Sequence, residues 1–382
     1  MVGIKLEPVL KEYSWGDTEF IADLYGLQSR EKPVAEAWYG VHENGSSRIQ
    51  VNQYEYLRDF LSENPEYLPE DSDEFPFMLK ILSAREALSL QVHPSKNQID
   101  LGRKLGEQCF VDHNGKNELL FALKPSVVLF GFLPVKLIIN NLSLMIPGNI
   151  LRFFSCLFDG YLNDTEKIKK FFKKLYTLDS DERKDLLKEF YESIEKDFPP
   201  MVEIKGIFDR IKFPFNSYSD DVSVLAPLFM NIISLDVGKT LFINSGTLHS
   251  IIYGTMVELQ DSSDNVFRCG LTQKEKNIEK VIEYTSCSPT FPFLHMDSYL
   301  KEGISGFHLK KFSKGDYSIE KNSIEMILCL DGNSIVMSSE GSISLSKGEC
   351  ILMKRTFYNY VLSVHSGEVI VVYKRGEENE NH

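Results

Sequence analysis

Four residues of this chain are of types that could hold one metal ion: Gln91, His93, Glu118 and His249. They offer an amide oxygen, two imidazoles and a carboxylate. Such a set suits a borderline divalent cation such as Zn²⁺, with a position left for water or substrate. Glu118 lies 25 residues after His93, and His249 lies 131 after Glu118, so no local ligand motif joins them. The six cysteines (Cys109, Cys156, Cys269, Cys287, Cys329, Cys350) show no C-x-x-C spacing and read as reduced thiols of a cytoplasmic protein, which sets a thiolate site aside.

Residues this far apart meet only if strands carry them. In an extended Leu88–Pro94 segment, Leu88, Leu90 and Val92 fall on one face and Ser89, Gln91 and His93 on the other. Taken alone, the polar row fits a half-buried strand facing water as well as one facing a cavity. In a closed barrel, however, strands distant in sequence are neighbours and inward side chains converge. Phe75–Leu82, with the single cation Lys80, and Gly115–Leu123 read as further strands; Ser245–His249 and Thr255–Gln260 are two more extended segments.

The texture changes after residue 133. Asp164 reads as an N-cap, with Ile168, Phe171, Phe172 and Leu175 at helical spacing. Ser180 or Asp181 opens a second helix, which Pro199-Pro200 ends. From Ser223 the period returns to two, and beyond Ser305 short strands alternate with Gly or Asn turns. Val237-Gly238-Lys239 and Lys347-Gly348-Glu349 each lead into an apolar strand, which suggests two related jelly-roll units. The expected fold is mainly β: residues 1–132 with 223–300, a helical insertion at 133–222, a C-terminal β-unit at 301–376 and a polar tail at 377–382.

At 382 residues, with 43% hydrophobic and 25% charged residues, the chain can build a sizeable soluble core. Its net charge of −13 gives no electrostatic case for nucleic acid, and no apolar run reaches the length of a membrane span. The first residues lack the pattern of a signal peptide.

The ordered motifs Tyr13-Ser14-Trp15-Gly16, Lys32 to Gly40, Lys80-Ile81-Leu82, Leu88 to Pro94, Lys116-Asn117-Glu118, Ser245 to His249, Val257 to Gln260 and Ser263 to Thr272 resemble type I phosphomannose isomerase. The resemblance implies two cupin barrels with a helical insertion, one Zn²⁺ per chain, and interconversion of mannose 6-phosphate and fructose 6-phosphate in a cytoplasmic monomer. It assigns the metal to Gln91, His93, Glu118 and His249, and catalysis to Arg268. Glu258, Lys80 and Lys116 stand as alternative bases. Ser89 and Lys274 fall on phosphate contacts, and Trp15 on the substrate side. The chain departs from the family at Gly115, where relatives often have histidine, making His113 a candidate substitute. It departs again at Ile251, where many have tyrosine. A cupin metalloenzyme of another class and an inactive sugar-binding cupin are the alternatives; Arg268 and Gln91 speak against the first, the complete ligand set against the second.

Overall fold

The structure, a computed structural model, describes residues 2–42, 45–51, 54–70, 72–194, 218, 220–291, 294–295, 306–320, 323–355 and 359–375. The Pro199-Pro200 helix stop and the polar tail lie outside these. The chain is mainly β, arranged in two antiparallel sheets.

In the sheet that carries the candidate ligands, Glu36–Tyr39, Phe77–Ala84, His249–Asp261, Glu118–Ala122 and Thr240–Ile243 are successive neighbours. Their register puts Trp38 opposite Lys80, Lys80 opposite Glu258, and Gln260 opposite Glu118. With side chains alternating, Glu36, Trp38, Lys80, Glu258, Gln260 and Glu118 share one face. Ala37, Tyr39, Leu79, Ile81, Leu119, Phe121, Val257 and Leu259 share the other, which is packed into a single core with the second sheet. A one-residue slip would drive the charged row into that core, so burial fixes the register.

The strand His249–Asp261 is a single element of 13 residues where the sequence suggested separate segments. Its first part pairs with Gln91 and with Ser126–Phe132; its second pairs with Phe77–Ala84 and Glu118–Ala122. It changes partners at Gly254, whose φ of +126° suits only glycine and whose Cβ would lie 2.0 Å from Ser126 Oγ. Among the described residues the strand order runs from one edge strand to another without closing. The ligands are therefore gathered by one bent strand shared between two sets of partners.

The short strand Leu90–Val92 turns Leu90 and Val92 into a second core formed with the helices Val135–Met145, Ile150–Phe154, Asp164–Tyr176 and Ser180–Ile194. Leu88 leaves that face: it packs with Trp15 on a different cluster and borders the cavity described below. The N-cap of the third helix is Asn163, in a reciprocal capping box with Glu166, one residue before the expected Asp164. The segment after Ser223 begins with the short helices Val222–Leu225 and Ala226–Phe229 before the strand Met230–Leu235.

The second sheet runs Phe307–Phe312, Asn359–Lys374, Glu325–Ser338, Cys350–Met353 and then Gly3–Glu7. The first strand of the chain thus pairs with the C-terminal unit, Gly3 opposite Met353. No helix of the described residues is long and apolar enough to cross a membrane.

Candidate functional site

His93, Glu118 and His249 come from three separated parts of the chain, and their ligating atoms lie within 4.8 Å of one another. His93 Nε2 is 3.1 Å from Glu118 Oε1, and His249 Nε2 is 3.3 Å from Glu118 Oε2. Gln91 Nε2 is 3.5 Å from His93 Nε2 and 3.4 Å from His249 Nε2. All four predicted ligands therefore converge on one point.

Both imidazoles are oriented from behind. His93 Nδ1 meets the carbonyl of Asn265 at 2.8 Å and His249 Nδ1 that of Thr247 at 2.9 Å, which leaves each Nε2 facing inward. Asn265 is held by Asp112 Oδ1 (2.8 Å) and the Asn114 carbonyl (3.0 Å). Asn117 Oδ1 accepts from the Ser245 amide at 3.0 Å, tying the strand of Glu118 to the loop of His249. Burial, with Lys116 nearby, pushes His93 down to about 4, so its ring is neutral and free to ligate. Burial works against the Glu118 carboxylate, but Lys116 and the imidazoles outweigh it and hold it well below the usual range. Two inward imidazole nitrogens, an ionised carboxylate and an amide fit a divalent cation in size, number and chemistry.

The amide of Gln91 turns Nε2 to the imidazoles and accepts from Ser89 Oγ at 2.8 Å. A half-turn of that amide exchanges oxygen and nitrogen at almost unchanged shape. It presents Oε1 to a metal and lets the NH₂ donate to Ser89.

The cluster opens on a cavity of about 500 Å³ that Trp15, Lys80, Ser89, Lys116, Glu258, Arg268 and Lys274 line with the four ligands. Arg268 is in register with Gln91, which is in turn in register with His249. Lys274 lies over the ring of Tyr13 at 4.6 Å, and Tyr13 stacks on Trp15 at 5.6 Å. Burial lowers Lys274, and Arg268 beside it lowers it further. Arg268 and Lys274 thus form a positive corner, with an aromatic wall beside Lys274.

Lys80 faces carboxylates as well as the metal cluster. Its Nζ donates to Glu258 Oε1 at 3.1 Å and to Gln260 Oε1 at 2.5 Å. Burial works to lower its pKa, but Glu258, Glu36 and Glu118 together raise it. Lys116 Nζ lies 2.8 Å from Glu118 Oε1. His113 is exposed and does not line the cavity. Gly115 has a steric reason: a Cβ there would meet the backbone nitrogen of Lys96 at 2.6 Å. Ile251 lines the cavity with an apolar side chain.

Among the cavity residues given no role from the sequence are Glu36, Trp38, His42 and Asp264. Glu36 accepts from Trp38 Nε1 at 3.0 Å, and burial raises its pKa against the opposing Lys80. His42 is hydrogen-bonded to Asp264; burial raises the Asp264 pKa, but His42, Lys116 and Lys80 together lower it further than burial raises it. Glu36 and Trp38 share the parity of Lys80 once strands are aligned; without the register, Trp38 reads as ordinary packing.

Residues 4–135 match the family model described as phosphomannose isomerase type I, catalytic domain. A mannose-6-phosphate isomerase of Salmonella typhimurium is 26% identical over 376 residues, covering 90% of this chain and 93% of the relative. Mannose-6-phosphate isomerase 1 of Arabidopsis thaliana is 25% identical, covering 75% of this chain and 72% of the relative. Among solved structures, an arginine-to-alanine mutant of the Salmonella typhimurium phosphomannose isomerase superposes with a TM-score of 0.83 at 25% identity, covering 98% of this chain and all of that one. A mannose 6-phosphate isomerase bound with zinc and yttrium superposes with a TM-score of 0.83 at 24% identity, with 98% and 100% covered. The resemblance drawn from the ordered motifs stands.

Proposed function

We infer that this chain belongs to the type I phosphomannose isomerase family and is a zinc-dependent aldose–ketose isomerase interconverting mannose 6-phosphate and fructose 6-phosphate. The observation that carries this is the convergence of His93, Glu118, His249 and Gln91 at the wall of a cavity that also holds Arg268 and Lys274. His93, His249 and Glu118 would hold the ion, with Gln91 completing the set through its amide oxygen. Bound there, Zn²⁺ supplies Lewis-acid polarisation of a sugar oxygen.

The reaction moves a proton between C1 and C2 through an enediol, so it needs a base and a partner for the developing negative charge. Glu258 faces the cavity and is our choice of base. Lys80, paired with Glu258, and Lys116, paired with Glu118, are the alternatives. Arg268 stays protonated and stabilises the enediolate or orients the sugar. Lys274 faces the phosphate, and the half-turn of Gln91 frees the Ser89 hydroxyl proton for the same group. Trp15 and Tyr13 wall the sugar.

The two sheets support the reading of two cupin barrels, with the helices behind the site as the insertion. The six cysteines are unpaired, which supports the cytoplasm. A coupled assay on mannose 6-phosphate, run on enzyme as purified, after chelation and after zinc is restored, tests the function. Turnover that disappears with the metal and returns with it is expected. Metal bound without isomerisation would turn the reading to another cupin metalloenzyme.

A further inference from the structure

Lys274 reaches the cavity from a loop whose path is strained at its start. After the strand Phe267–Gly270, the chain turns at Leu271 with φ +52°, the only non-glycine residue in the left-handed region among the described residues. Such a conformation costs about 1–3 kcal/mol and persists only where the surroundings enforce it.

Here the enforcement comes from one carboxylate outside the cavity. Asp221 Oδ2 accepts from the Leu271 amide at 3.2 Å and from Lys276 Nζ at 2.7 Å, so it grips the loop on both sides of Lys274. Asp221 Oδ1 accepts from the Ser223 amide at 2.9 Å. Ser223 Oγ is 2.7 Å from Tyr176 Oη, at the end of the helix Asp164–Tyr176. Gly270 allows the close fit: a Cβ there would lie 1.7 Å from Ser223 Oγ and 2.7 Å from Asp221 Oδ1. A continuous set of hydrogen bonds thus runs from the helical layer to the loop that presents Lys274. Asp221 itself is buried and does not line the cavity.

We propose that Asp221 is a positioning residue for phosphate recognition: by strapping Leu271 and Lys276 to the helical layer it fixes Lys274 in the positive corner it forms with Arg268. The proposal rests on the reading that this corner receives the phosphate of the sugar. A carboxylate bonded to the loop that carries Lys274 opposes anion binding by its charge, so a gain in affinity on its removal would be the simple electrostatic result. The strap predicts the opposite sign.

The test uses the full chain loaded with zinc, comparing the parent with Asp221→Ala and Asp221→Asn. Inorganic phosphate is titrated calorimetrically, and KM and kcat are measured with mannose 6-phosphate. In the alanine variant, Kd for inorganic phosphate and KM should both rise by about tenfold or more, with kcat within about threefold and zinc content unchanged. The asparagine variant keeps an oxygen for the Leu271 amide but loses the charge facing Lys276, and should fall in between. A phosphate Kd equal to or tighter than the parent's in the alanine variant overturns the proposal, even if its melting temperature falls. Should that variant fail to fold, Lys276→Met releases the strap from the loop side and must weaken phosphate binding for the proposal to survive. The titration needs no turnover. A parent that binds phosphate but does not isomerise therefore refutes the isomerase reading while leaving the strap under test, and a parent that binds no phosphate refutes the strap.

Discussion

At the scale of single residues, the site separates groups that hold the ion from groups that meet the sugar. His249 faces Glu118 at 3.3 Å and is locked by the Thr247 carbonyl, so His249→Ala should lose both zinc and turnover. Arg268 lies across Gln91 in the sheet register and is not one of the grouped ligands. Arg268→Ala should therefore keep zinc, by elemental analysis, while kcat falls by about 10²–10³-fold; normal turnover would remove its role. Lys80 donates to Glu258 and Gln260. Lys80→Met would leave Glu258, Glu36 and Gln260 buried around an apolar side chain, and urea unfolding should read a loss of about 3–5 kcal/mol. An unchanged midpoint would mean those groups find water or a proton more easily than their burial implies.

At the scale of elements, the bend in His249–Asp261 decides whether His249 and Glu258 serve one cavity. Gly254→Ala adds a Cβ against the Cα of Ser126 at 2.6 Å as well as its side chain, in a conformation that L side chains avoid. A cost of about 1–3 kcal/mol in stability is expected, together with weaker zinc binding on titration. A drop in stability with parental zinc affinity would show that the bend is not what aims His249. On the second sheet, His308 stacks on Tyr373 with ring centroids 4.4 Å apart, and its Nδ1 has no hydrogen-bond partner among the described residues. Burial, then Arg375 and Lys310, push it down from 6.5 to about 4. Between those values the unfolded chain takes up a proton that the folded chain refuses. This contribution is therefore intact above about pH 6.5 and is lost as pH falls towards 4. His308→Phe, which keeps the stack, should flatten the fall in melting temperature between about pH 7 and pH 4.5; parallel curves would place the acid sensitivity elsewhere.

At the scale of the whole molecule, the site is a junction. Its ligands come from Leu90–Val92 and the residue beyond it, from Glu118–Ala122 and from His249–Asp261, while the loop of Lys274 is anchored on the helical layer. An ion bound there ties together strands that are backed by different cores. Chelation should lower the melting temperature, and zinc at about a hundredfold over its Kd should restore about 2.7 kcal/mol. Equal stability with and without metal would mean that the site is preformed and that the ion binds the unfolded chain equally well. The strand Gly3–Glu7 closes the molecule from the other side by pairing with Cys350–Met353, so the two ends of the chain share one sheet.

Residue type and local order alone supplied the candidate donors, the resemblance to the family and the parity of Leu90 and Val92 against Gln91 and His93, because alternation along a strand is a local property. The helical stretch was legible for the same reason, and the N-cap moved only from Asp164 to Asn163. Tertiary structure alone decided that Lys80 bonds Glu258 and Gln260, that Glu36 and the His42–Asp264 pair join the cavity, that Gly115 makes room for Lys96, and that Asp221 bonds the loop on both sides of Lys274. Each of these depends on register or on contacts between distant segments, and neither is written in the spacing of one strand's residues.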